Sequence, residues 1–406
     1  MRILHLTPEL PYEPGGGGGR TREFFLCRRL AELGHDVLNI SPALPSEVER
    51  AEPLRAVGVE NWIALRPSAP IEEVVRAVAA EPAVLGAAVT RPVRALEMRV
   101  FWTRLRRLAL RAVAERRPDV VLVGHDMAAA WAMDLPGDIP AVLTCHNLTW
   151  RWYDSRARRA GAPAALLLRA ESARYRRHVV RALPRFHTAV AVSTIEAEEL
   201  EALRLTRVAL IPTGVDTREL RPVPEEPGPP RLLFTGTMSY PPNHQGICWF
   251  VREVWPFVRA EVPDAQLDIV GKDPPDDVRA LDAIDGVTVH GFVESMSPFF
   301  ARAHAVVVPI LAGAGIRVKI VEAMAAGRAV VSTPLGCEGL AGLEPGQHLL
   351  VADAPQPFAQ AAIRLLRDAP LREQIARAGR ELAERSYDWR PLGEQLEQVL
   401  KDAARA

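Results

Sequence analysis

Residues 305–333 bring together, in one short stretch, side chains suited to binding a phosphorylated ligand. Arg317 and Lys319 supply two mobile cations, and Glu322 follows about one helical turn later as a carboxylate. Cationic side chains neutralise phosphate, whereas a carboxylate accepts hydrogen bonds from hydroxyl groups. Cations and a carboxylate at this spacing therefore suit a sugar nucleotide.

The sequence around these residues predicts the elements that would position them. Residues 305–310 form an apolar, β-branched run typical of a strand covered on both faces, and 329–333 form a second one. Between them, Gly313 and Gly315 lie in a loop that leads into a helix predicted to begin at Ile316. A helix that begins directly after a glycine loop presents free N–H groups, which favours phosphate binding. The alternative is an ordinary strand–helix–strand unit with charges on a solvated face.

This segment resembles the donor-binding signature of the retaining glycosyltransferases of family 4, which have the two-domain GT-B fold. The family carries two glutamates eight residues apart. The second corresponds to Glu322, which the resemblance assigns to the ribose, but the first position holds Ala314. The family's contact with the transferred sugar is therefore not carried over. The resemblance also implies donor binding along the loop of Gly313, Ala314, Gly315 and Ile316.

Length and composition agree with a large α/β protein. The 406 residues exceed one core of usual size, so we expect two Rossmann-like domains. Fifty basic and fifty acidic residues balance each other, which argues against nucleic acid as a partner. The four cysteines never form a CxxC pair, which favours a reducing compartment and no structural zinc. No apolar run approaches membrane-spanning length, so a cytoplasmic protein is expected.

The domain boundaries follow from composition and from the resemblance. Residues 1–215 are predicted to form the acceptor-side domain, and residues 231–387 the domain that binds the donor. Residues 216–230 are rich in proline and predict an exposed, stiff linker. The resemblance implies that the last helix, 388–406, crosses back to the first domain, and that the two domains face a cleft.

A run of five glycines, Gly15 to Gly19, separates the first predicted strand, residues 2–7, from a helix expected from Arg20 to Leu33. Glycines at such a point let phosphate or sugar approach the backbone, and the resemblance places Gly15, Gly16 and Gly17 near the donor. A low-complexity linker is the alternative. The next strand has no acidic residue at its end to bind a ribose, so NAD is not expected.

Two histidines follow predicted strands of the first domain, in the motifs Gly124-His125-Asp126 and Cys145-His146-Asn147. In an open α/β sheet, ligands bind beyond the carboxyl ends of the strands. The second motif is similar to the family's strand-ending histidine, so the resemblance implies that His146 contacts the donor sugar and its phosphate. We place His125, Asp126 and Asn147 on the acceptor side, although lone histidines are usually structural.

The second domain opens with a strand that runs into Gly236 and Thr237. The family usually places an arginine just after this glycine and a lysine a little later, and both positions are uncharged here. We therefore expect Arg317 and Lys319 to supply the charge that stabilises the leaving diphosphate. Three further residues that end or follow strands complete the predicted donor site: Gly271, Phe292 and Val293.

Two arginine-rich segments, residues 91–117 and 151–185, lie in the first domain. The first has apolar residues at helical spacing, which predicts a helix packed on the sheet with its arginines in water. A basic amphipathic helix can also lie on an anionic membrane, so peripheral contact with phospholipid remains a second interpretation.

These features together predict a glycosyltransferase that uses a UDP- or GDP-sugar and a glycan, lipid-linked or small-molecule acceptor. The resemblance implies retention of configuration without a metal, and we expect no cofactor. The sequence shows no evident pair of Asp or Glu residues suited to glycoside hydrolysis, which argues against a glycosidase. Two alternatives remain, namely a catalytically silent GT-B subunit, which Ala314 favours, and a nucleotide-sugar epimerase-like enzyme of the same fold.

Overall fold

The computed structural model describes residues 1–13, 17–66, 93–158, 160–313 and 315–406, with the backbone alone for residues 93–101. The chain folds into two compact units. The first contains Met1–Thr213 together with Trp389–Ala406, and the second contains Gly214–Asp388. Each unit has a parallel sheet between helices, which confirms the predicted α/β class with two Rossmann-like domains.

The first unit contains a seven-stranded sheet in the order β3-β2-β1-β4-β5-β6-β7, and all neighbouring strands are parallel. Strands β1, β4 and β5 are buried along most of their length because apolar side chains cover both faces. The strands are β1 (Arg2–Leu6), β2 (Asp36–Ala43), β3 (Glu60–Leu65), β4 (Val120–Gly124), β5 (Ala141–Thr144), β6 (Thr188–Ala191) and β7 (Arg207–Leu210).

Helices cover both faces of this sheet. The α-helices are α1 (Gly17–Glu32), α2 (Glu52–Ala56), α3 (Val93–Arg116), α4 (Thr149–Ala157), α5 (Ala162–Ala182), α6 (Thr194–Leu203) and the last helix of the chain, here labelled α15 (Trp389–Arg405). Short 3-10 helices span Pro45–Ala51, Asp126–Asp134 and Leu183–Arg185. Helix α15 packs on α1, where the rings of Phe25 and Trp389 stack 5.2 Å apart.

The second unit repeats the pattern with six parallel strands in the order β10-β9-β8-β11-β12-β13. The strands are β8 (Arg231–Thr235), β9 (Gln266–Val270), β10 (Val287–Gly291), β11 (Ala305–Val308), β12 (Ala329–Ser332) and β13 (Leu350–Val351). The α-helices are α7 (Pro241–Trp249), α8 (Trp255–Glu261), α9 (Asp276–Arg279), α10 (Ser297–Arg302), α11 (Val318–Ala325), α12 (Pro334–Cys337), α13 (Pro355–Arg367) and α14 (Ala369–Ser386). A π-helical turn, Phe250–Val254, joins α7 to α8, and a 3-10 helix spans Ala280–Ala283.

The arginine-rich helix α3 packs on the first sheet through its apolar face, as its spacing predicts. Trp102, Leu105, Ala109 and Ala112 are buried in the core, and the indole of Trp102 stacks on that of Trp131. In the part of the chain that the structure describes, no helix is both long enough and apolar enough to cross a bilayer.

The proline-rich segment 216–230 belongs to the second unit. Most of residues 221–229 are exposed. Hydrogen bonds that involve two carboxylates nevertheless hold the beginning and the middle of the segment in place. Asp388 accepts hydrogen bonds from the backbone and hydroxyl of Thr217, and Glu225 forms a bidentate pair with Arg372 at 2.9 and 3.0 Å. A planar guanidinium matches a carboxylate in this way, so charge holds the segment together with the packing of Leu220 against the core.

Candidate functional site

The predicted donor residues of the second unit gather at one edge of its sheet. The sheet continues from β8 to β9 on one side and to β11 on the other, so the strand order reverses at β8. Open α/β sheets bind ligands at such a point, beyond the carboxyl ends of the strands. Gly236 directly follows β8, Gly271 follows β9, and the loop with Gly313 and Gly315 follows β11. The fold therefore brings together residues that are far apart in the sequence. Gly236 and Gly315, for example, are 79 positions apart.

Two of these glycines are required by close packing of the backbone. A Cβ atom on Gly271 would lie 1.7 Å from the carbonyl oxygen of Gly236. One on Gly236 would lie 2.6 Å from Nζ of Lys319. Both also have positive φ angles, which side chains rarely adopt. Glycine at these positions lets the β8 and β9 turns touch and leaves room for the lysine.

Lys319 is held in place beneath the β8 turn. Its Nζ donates hydrogen bonds to the carbonyl oxygen of Thr235 and, at 2.8 Å, to Oδ1 of Asn243. The ammonium also lies 4.5 Å from the centre of the Phe234 ring. Burial lowers the pKa of Lys319 to about 7, although nearby Glu322 favours the charged form. The expectation of a mobile cation is therefore wrong for the described structure, because the lysine is already bonded.

Arg317 is also fixed. It is the N-cap residue of α11, which begins at Val318 and not at Ile316 as the sequence predicted. Its guanidinium folds back and donates to the carbonyl oxygens of Gly315 at 2.9 Å and Ala312 at 3.3 Å. Burial lowers its pKa below the usual arginine value. Arg317 thus stabilises the glycine loop through its own side chain. This accounts for the helix beginning at Val318, two residues after the predicted start at Ile316.

The other donor candidates differ in exposure. The carbonyl oxygen of Thr237 accepts a hydrogen bond from Asn243 at 2.9 Å, and Ile316 and Val293 pack against the apolar core. Phe292 is 73% exposed, so its ring is available to stack on a ligand. Glu322 is half-buried in the second turn of α11. Ala314 lies outside the described residues, as do Gly15 and Gly16 of the first unit.

His146 in the first unit belongs to a buried polar cluster that the sequence did not predict. Its Nε2 atom bonds Oε1 of Glu23, a carboxylate on α1 that is 1% exposed. The other oxygen of Glu23 lies 2.6 Å from Nε2 of His5 on β1. Thr144 donates its hydroxyl to the same Oε1 atom at 3.2 Å, whereas Oε2 has, among the described residues, only the ion-pair contact with His5.

The charges in this cluster follow from burial and from the pairing. Burial disfavours the Glu23 carboxylate, but His146 and His5 outweigh it and hold the pKa of Glu23 well below its usual range. Burial likewise disfavours a charged His5, yet Cys27 and Glu23 raise the pKa of that ring well above its usual value. Burial dominates at His146 and lowers its pKa. Burial therefore favours the neutral form of His146, while its partners favour the ionised form of Glu23 and the protonated form of His5.

The acceptor-side candidates lie beside this cluster. The ring of His125 is 4.7 Å from that of His146, measured between centroids. Asp126 is fully buried and accepts hydrogen bonds from the backbone and hydroxyl of Thr149 at 2.8 and 2.9 Å. The structure therefore gives Asp126 a structural task, since it fixes the start of α4. Asn147 is half-buried next to His146.

The glycine run of the first unit is partly helical. Gly17, Gly18 and Gly19 form the first turn of α1, so the prediction that the helix begins at Arg20 is wrong by three residues. A Cβ atom on Gly19 would lie 2.7 Å from Nδ1 of His146. Glycine here lets the beginning of α1 approach the imidazole closely, which places free N–H groups beside it.

Sequence reasoning missed Glu23, His5 and Asn243, although one signal was present. Glu23 occupies the same helix face as Cys27 and Leu30, four and seven residues later, and both of those are fully buried. A carboxylate on the apolar face of a helix needs partners inside the protein. Asn243 carried no such signal, because its contact with Lys319 is made only in the folded chain.

Two parallel-sheet units with ligand-suited residues at the strand ends define a protein of the GT-B class. The family described as Glycosyltransferase Family 4 matches residues 16–219, and the one described as Glycosyl transferases group 1 matches residues 229–368. The chain belongs to glycosyltransferase family 4.

Curated relatives match part of the chain. The phosphatidyl-myo-inositol mannosyltransferase of Mycobacterium leprae is 32% identical over 226 residues, which cover 53% of this chain and 59% of the relative. The alignment thus spans about three-fifths of that protein's length. The same-named protein of Mycolicibacterium smegmatis is 31% identical over 229 residues, which cover 53% of this chain and 58% of the relative.

Solved structures match the fold over nearly its whole length. Sucrose-phosphate synthase from Thermosynechococcus elongatus has a TM-score of 0.68 at 18% identity and covers 99% of both chains. The Anabaena protein HepE in complex with UDP-glucose has a TM-score of 0.64 at 16% identity, covering 99% of this chain and 100% of that one. At these identities the likeness establishes the GT-B fold alone.

Proposed function

We propose that this protein transfers a sugar from a nucleoside diphosphate donor to an acceptor hydroxyl. One observation carries the proposal: a buried lysine, Lys319, lies under the Gly236 turn at the point where the second sheet's strand order reverses. A lysine held there at a pKa of about 7 is ready to become fully charged when a diphosphate arrives. Family membership supports the same assignment.

The reaction breaks the bond between the anomeric carbon and the donor's diphosphate oxygen. A bond from the acceptor oxygen to the same carbon forms, and the acceptor's proton goes to the departing diphosphate. Charge develops on the leaving group as the anomeric centre becomes oxocarbenium-like. We assign the stabilisation of that charge to Lys319 and Arg317, together with the first N–H groups of α11. Glu322 binds the ribose, and the exposed ring of Phe292 stacks on the base.

Retention without a metal belongs to the same proposal. Two protein cations, Arg317 at the N-cap of α11 and Lys319 in its first turn, supply charge that a divalent ion would otherwise provide. We assign His146, whose pKa burial lowers, to a neutral hydrogen-bonding role in the transfer. Nuclear magnetic resonance of the purified product reads the anomeric configuration directly. Turnover that persists in excess EDTA supports metal independence.

The decisive experiment incubates the purified protein with a panel of UDP- and GDP-sugars and scores nucleotide release, with and without candidate acceptors. Acceptor-dependent release supports transfer, whereas interconversion of the sugar without release indicates epimerase-like chemistry. Binding without turnover across the panel indicates a silent subunit. Thermal shifts with UDP against GDP then choose the base, and the UDP-glucose complex of HepE favours UDP as the first to test.

We also propose that the acceptor is lipid-linked and that helix α5 contacts an anionic membrane. Leu166 and Leu167 on this helix are 71% and 72% exposed. Arg169, Arg176 and Arg177 are exposed as well, and Arg169 and Arg176 follow Leu166 at helical spacing. An exposed apolar pair among arginines suits the boundary between lipid headgroups and acyl chains. The mannosyltransferase relatives carry phosphatidyl-myo-inositol in their names, which agrees with this choice.

Sedimentation with vesicles containing anionic lipid tests the membrane contact. Binding at low salt that weakens at high salt is expected, and replacing Leu166 and Leu167 by serine should reduce it about tenfold or more. Ile284→Ser is the matched control, since Ile284 is a 37% exposed apolar residue of the other unit. Equal sedimentation of the double variant and the unchanged protein excludes α5 as the contact surface.

A further inference from the structure

A cluster of three potential metal ligands lies on the second unit, formed by His244, Cys248 and Asp277. The Nε2 atom of His244 is 2.6 Å from Oδ2 of Asp277. The Sγ atom of Cys248 is 4.0 Å from the same oxygen. All three ligand atoms lie within 4.8 Å of one another. No other such group of three or more is found among the described residues.

The fold aims these side chains at a common point. His244 and Cys248 are four residues apart on α7, so they project from the same face of the helix. Asp277 lies on α9, which follows β9. The close contact of Gly246 with the carbonyl oxygen of Pro309, where a Cβ would lie at 2.2 Å, fixes how α7 sits on the sheet. That packing directs Cys248 inward and leaves His244 at the rim.

The cluster does not suit cysteine catalysis. Burial raises the pKa of the Cys248 thiol, and the imidazole of His244 bonds Asp277 and not the sulfur. A nucleophilic cysteine needs a base within hydrogen-bond reach of its own thiol and a lowered pKa. A metal ion, in contrast, displaces the thiol proton by binding the sulfur directly.

The donor set selects the kind of metal. One imidazole nitrogen, one thiolate sulfur and one carboxylate oxygen are the three ligand types that Zn²⁺ binds, at about 2.0 to 2.3 Å. Tetrahedral bonds of that length separate ligand atoms by about 3.3 to 3.8 Å. The present separations of 2.6 and 4.0 Å lie on either side of that range, so small rotations of the side chains suffice. Mg²⁺ and Ca²⁺ prefer oxygen ligands throughout.

We propose that His244, Cys248 and Asp277 bind a zinc ion, with water as the fourth ligand. The side chains of His244 and Asp277 are 31% and 48% exposed, so water reaches the open position. The ion would link α7, through His244 and Cys248, to the short helix α9. His244 is next in sequence to Asn243, which bonds Lys319, so this link steadies one wall of the donor site. This proposal departs from the expectation, drawn from the cysteine pattern, that the chain has no structural zinc, and it does not depend on the proposed transfer reaction.

Cobalt provides a spectroscopic test, because Co²⁺ adopts zinc's geometry and shows a thiolate charge-transfer absorption when a cysteine binds it. The full-length protein, stripped by chelation, is titrated with Co²⁺ and then with Zn²⁺. We expect one equivalent of Co²⁺ to produce the band, Zn²⁺ to abolish it by displacement, and Zn²⁺ to raise the melting temperature. Absence of a band at saturating Co²⁺ overturns the proposal.

Matched variants locate the ion. Cys248→Ser should remove the band, and Asp277→Asn should weaken Co²⁺ binding about tenfold or more while leaving the fold intact, since Asp277 is exposed at the surface. Cys337→Ser is the control, because Cys337 is the other cysteine of this unit and its sulfur bonds Pro334. A band that survives in Cys248→Ser or disappears in Cys337→Ser assigns the metal elsewhere and refutes this site.

Discussion

The Nζ atom of Lys319 lies 2.8 Å from the side-chain oxygen of Asn243. The two residues come from different helices, α11 and the first turn of α7, and they meet under the turn that follows β8. Asn243 also donates to the carbonyl oxygen of Thr237, so it holds the lysine and the turn at once. A preorganised cation of this kind stabilises developing charge without having to reorganise during the reaction.

Replacing Lys319 by alanine should cut turnover by more than about tenfold, because the leaving diphosphate loses a positioned cation. Steady-state nucleotide release measures the effect. Lys401→Ala is the matched control, since Lys401 is a partly exposed lysine of α15 that pairs with Glu397. Turnover of Lys319→Ala at the unchanged protein's rate would show that Lys319 does not replace the family's arginine and lysine.

Diphosphate binding should take up a proton near pH 8. The pKa of Lys319 is about 7 in the free protein, so most of this lysine is neutral at pH 8 until an anion stabilises its charged form. Below pH 7 the lysine is already charged, and the uptake should fall. Calorimetry in two buffers of different ionisation enthalpy measures it. Lys319→Ala should lose the uptake and Lys401→Ala should keep it; buffer-independent heats for the unchanged protein would contradict this assignment.

Glu23→Gln removes the charge of the buried cluster with little change in shape. The pKa of His5 should fall, because Glu23 is one of the two groups that raise it. Turnover should drop about tenfold, because the imidazole of His146 loses the carboxylate that orients it. Nitrogen NMR of the histidines at neutral pH reads the protonation of His5 independently of activity. Glu32→Gln on the outer part of α1 serves as the control.

The same cluster sets a pH window for stability. The contribution of Glu23 is present above the usual carboxyl pKa and is lost as the pH falls through its lowered folded-state pKa. That of His5 is present below the usual imidazole pKa and is lost as the pH rises through its raised folded-state pKa. Unfolding experiments should therefore show that Glu23→Gln costs most stability between these limits, and a cost independent of pH would argue against the assigned charges.

Gly271→Ala should destabilise the second unit by at least about 2 kcal/mol, because the new Cβ meets the carbonyl oxygen of Gly236 and the backbone has a positive φ. Denaturant unfolding measures the loss. The comparison is Gly228→Ala, since a Cβ there meets nothing within 4 Å. If both variants unfold alike, the contact between the two turns does not constrain the donor site.

Glu322→Gln should raise the KM for the nucleotide sugar about tenfold, because a carboxylate accepts hydrogen bonds from ribose hydroxyls more strongly than an amide does. Competition with a 2′,3′-dideoxynucleoside diphosphate separates ribose contacts from all others. The unchanged protein should prefer the ribose form, and the variant should lose most of that preference. A preference of the same size in both proteins would place Glu322 away from the ribose.

Much of the fold was accessible from the sequence. Apolar β-branched runs such as 305–310 and 329–333 predicted buried parallel strands, and glycines such as Gly236 and Gly313 predicted the turns after them. Local patterns determine these features, because strand burial and turn geometry depend on nearby residues. Helix beginnings were less accurate: α1 begins at Gly17 and α11 at Val318. The glycine turn before α1 meets His146 from a distant part of the chain, whereas Arg317 delays α11 through bonds to the nearby carbonyl oxygens of Gly315 and Ala312.

What the sequence determined on its own was the family, the alternation of strands and helices, and the chemical types of the candidate donor residues, since short contiguous motifs specify each of these. The tertiary structure decided which side chains meet. It paired Glu23 with His146, Lys319 with Asn243, and Cys248 with Asp277, across separations of 123, 76 and 29 residues. Parallel strands bring such distant residues to one edge of a sheet, and burial then sets their charges, which no local pattern encodes.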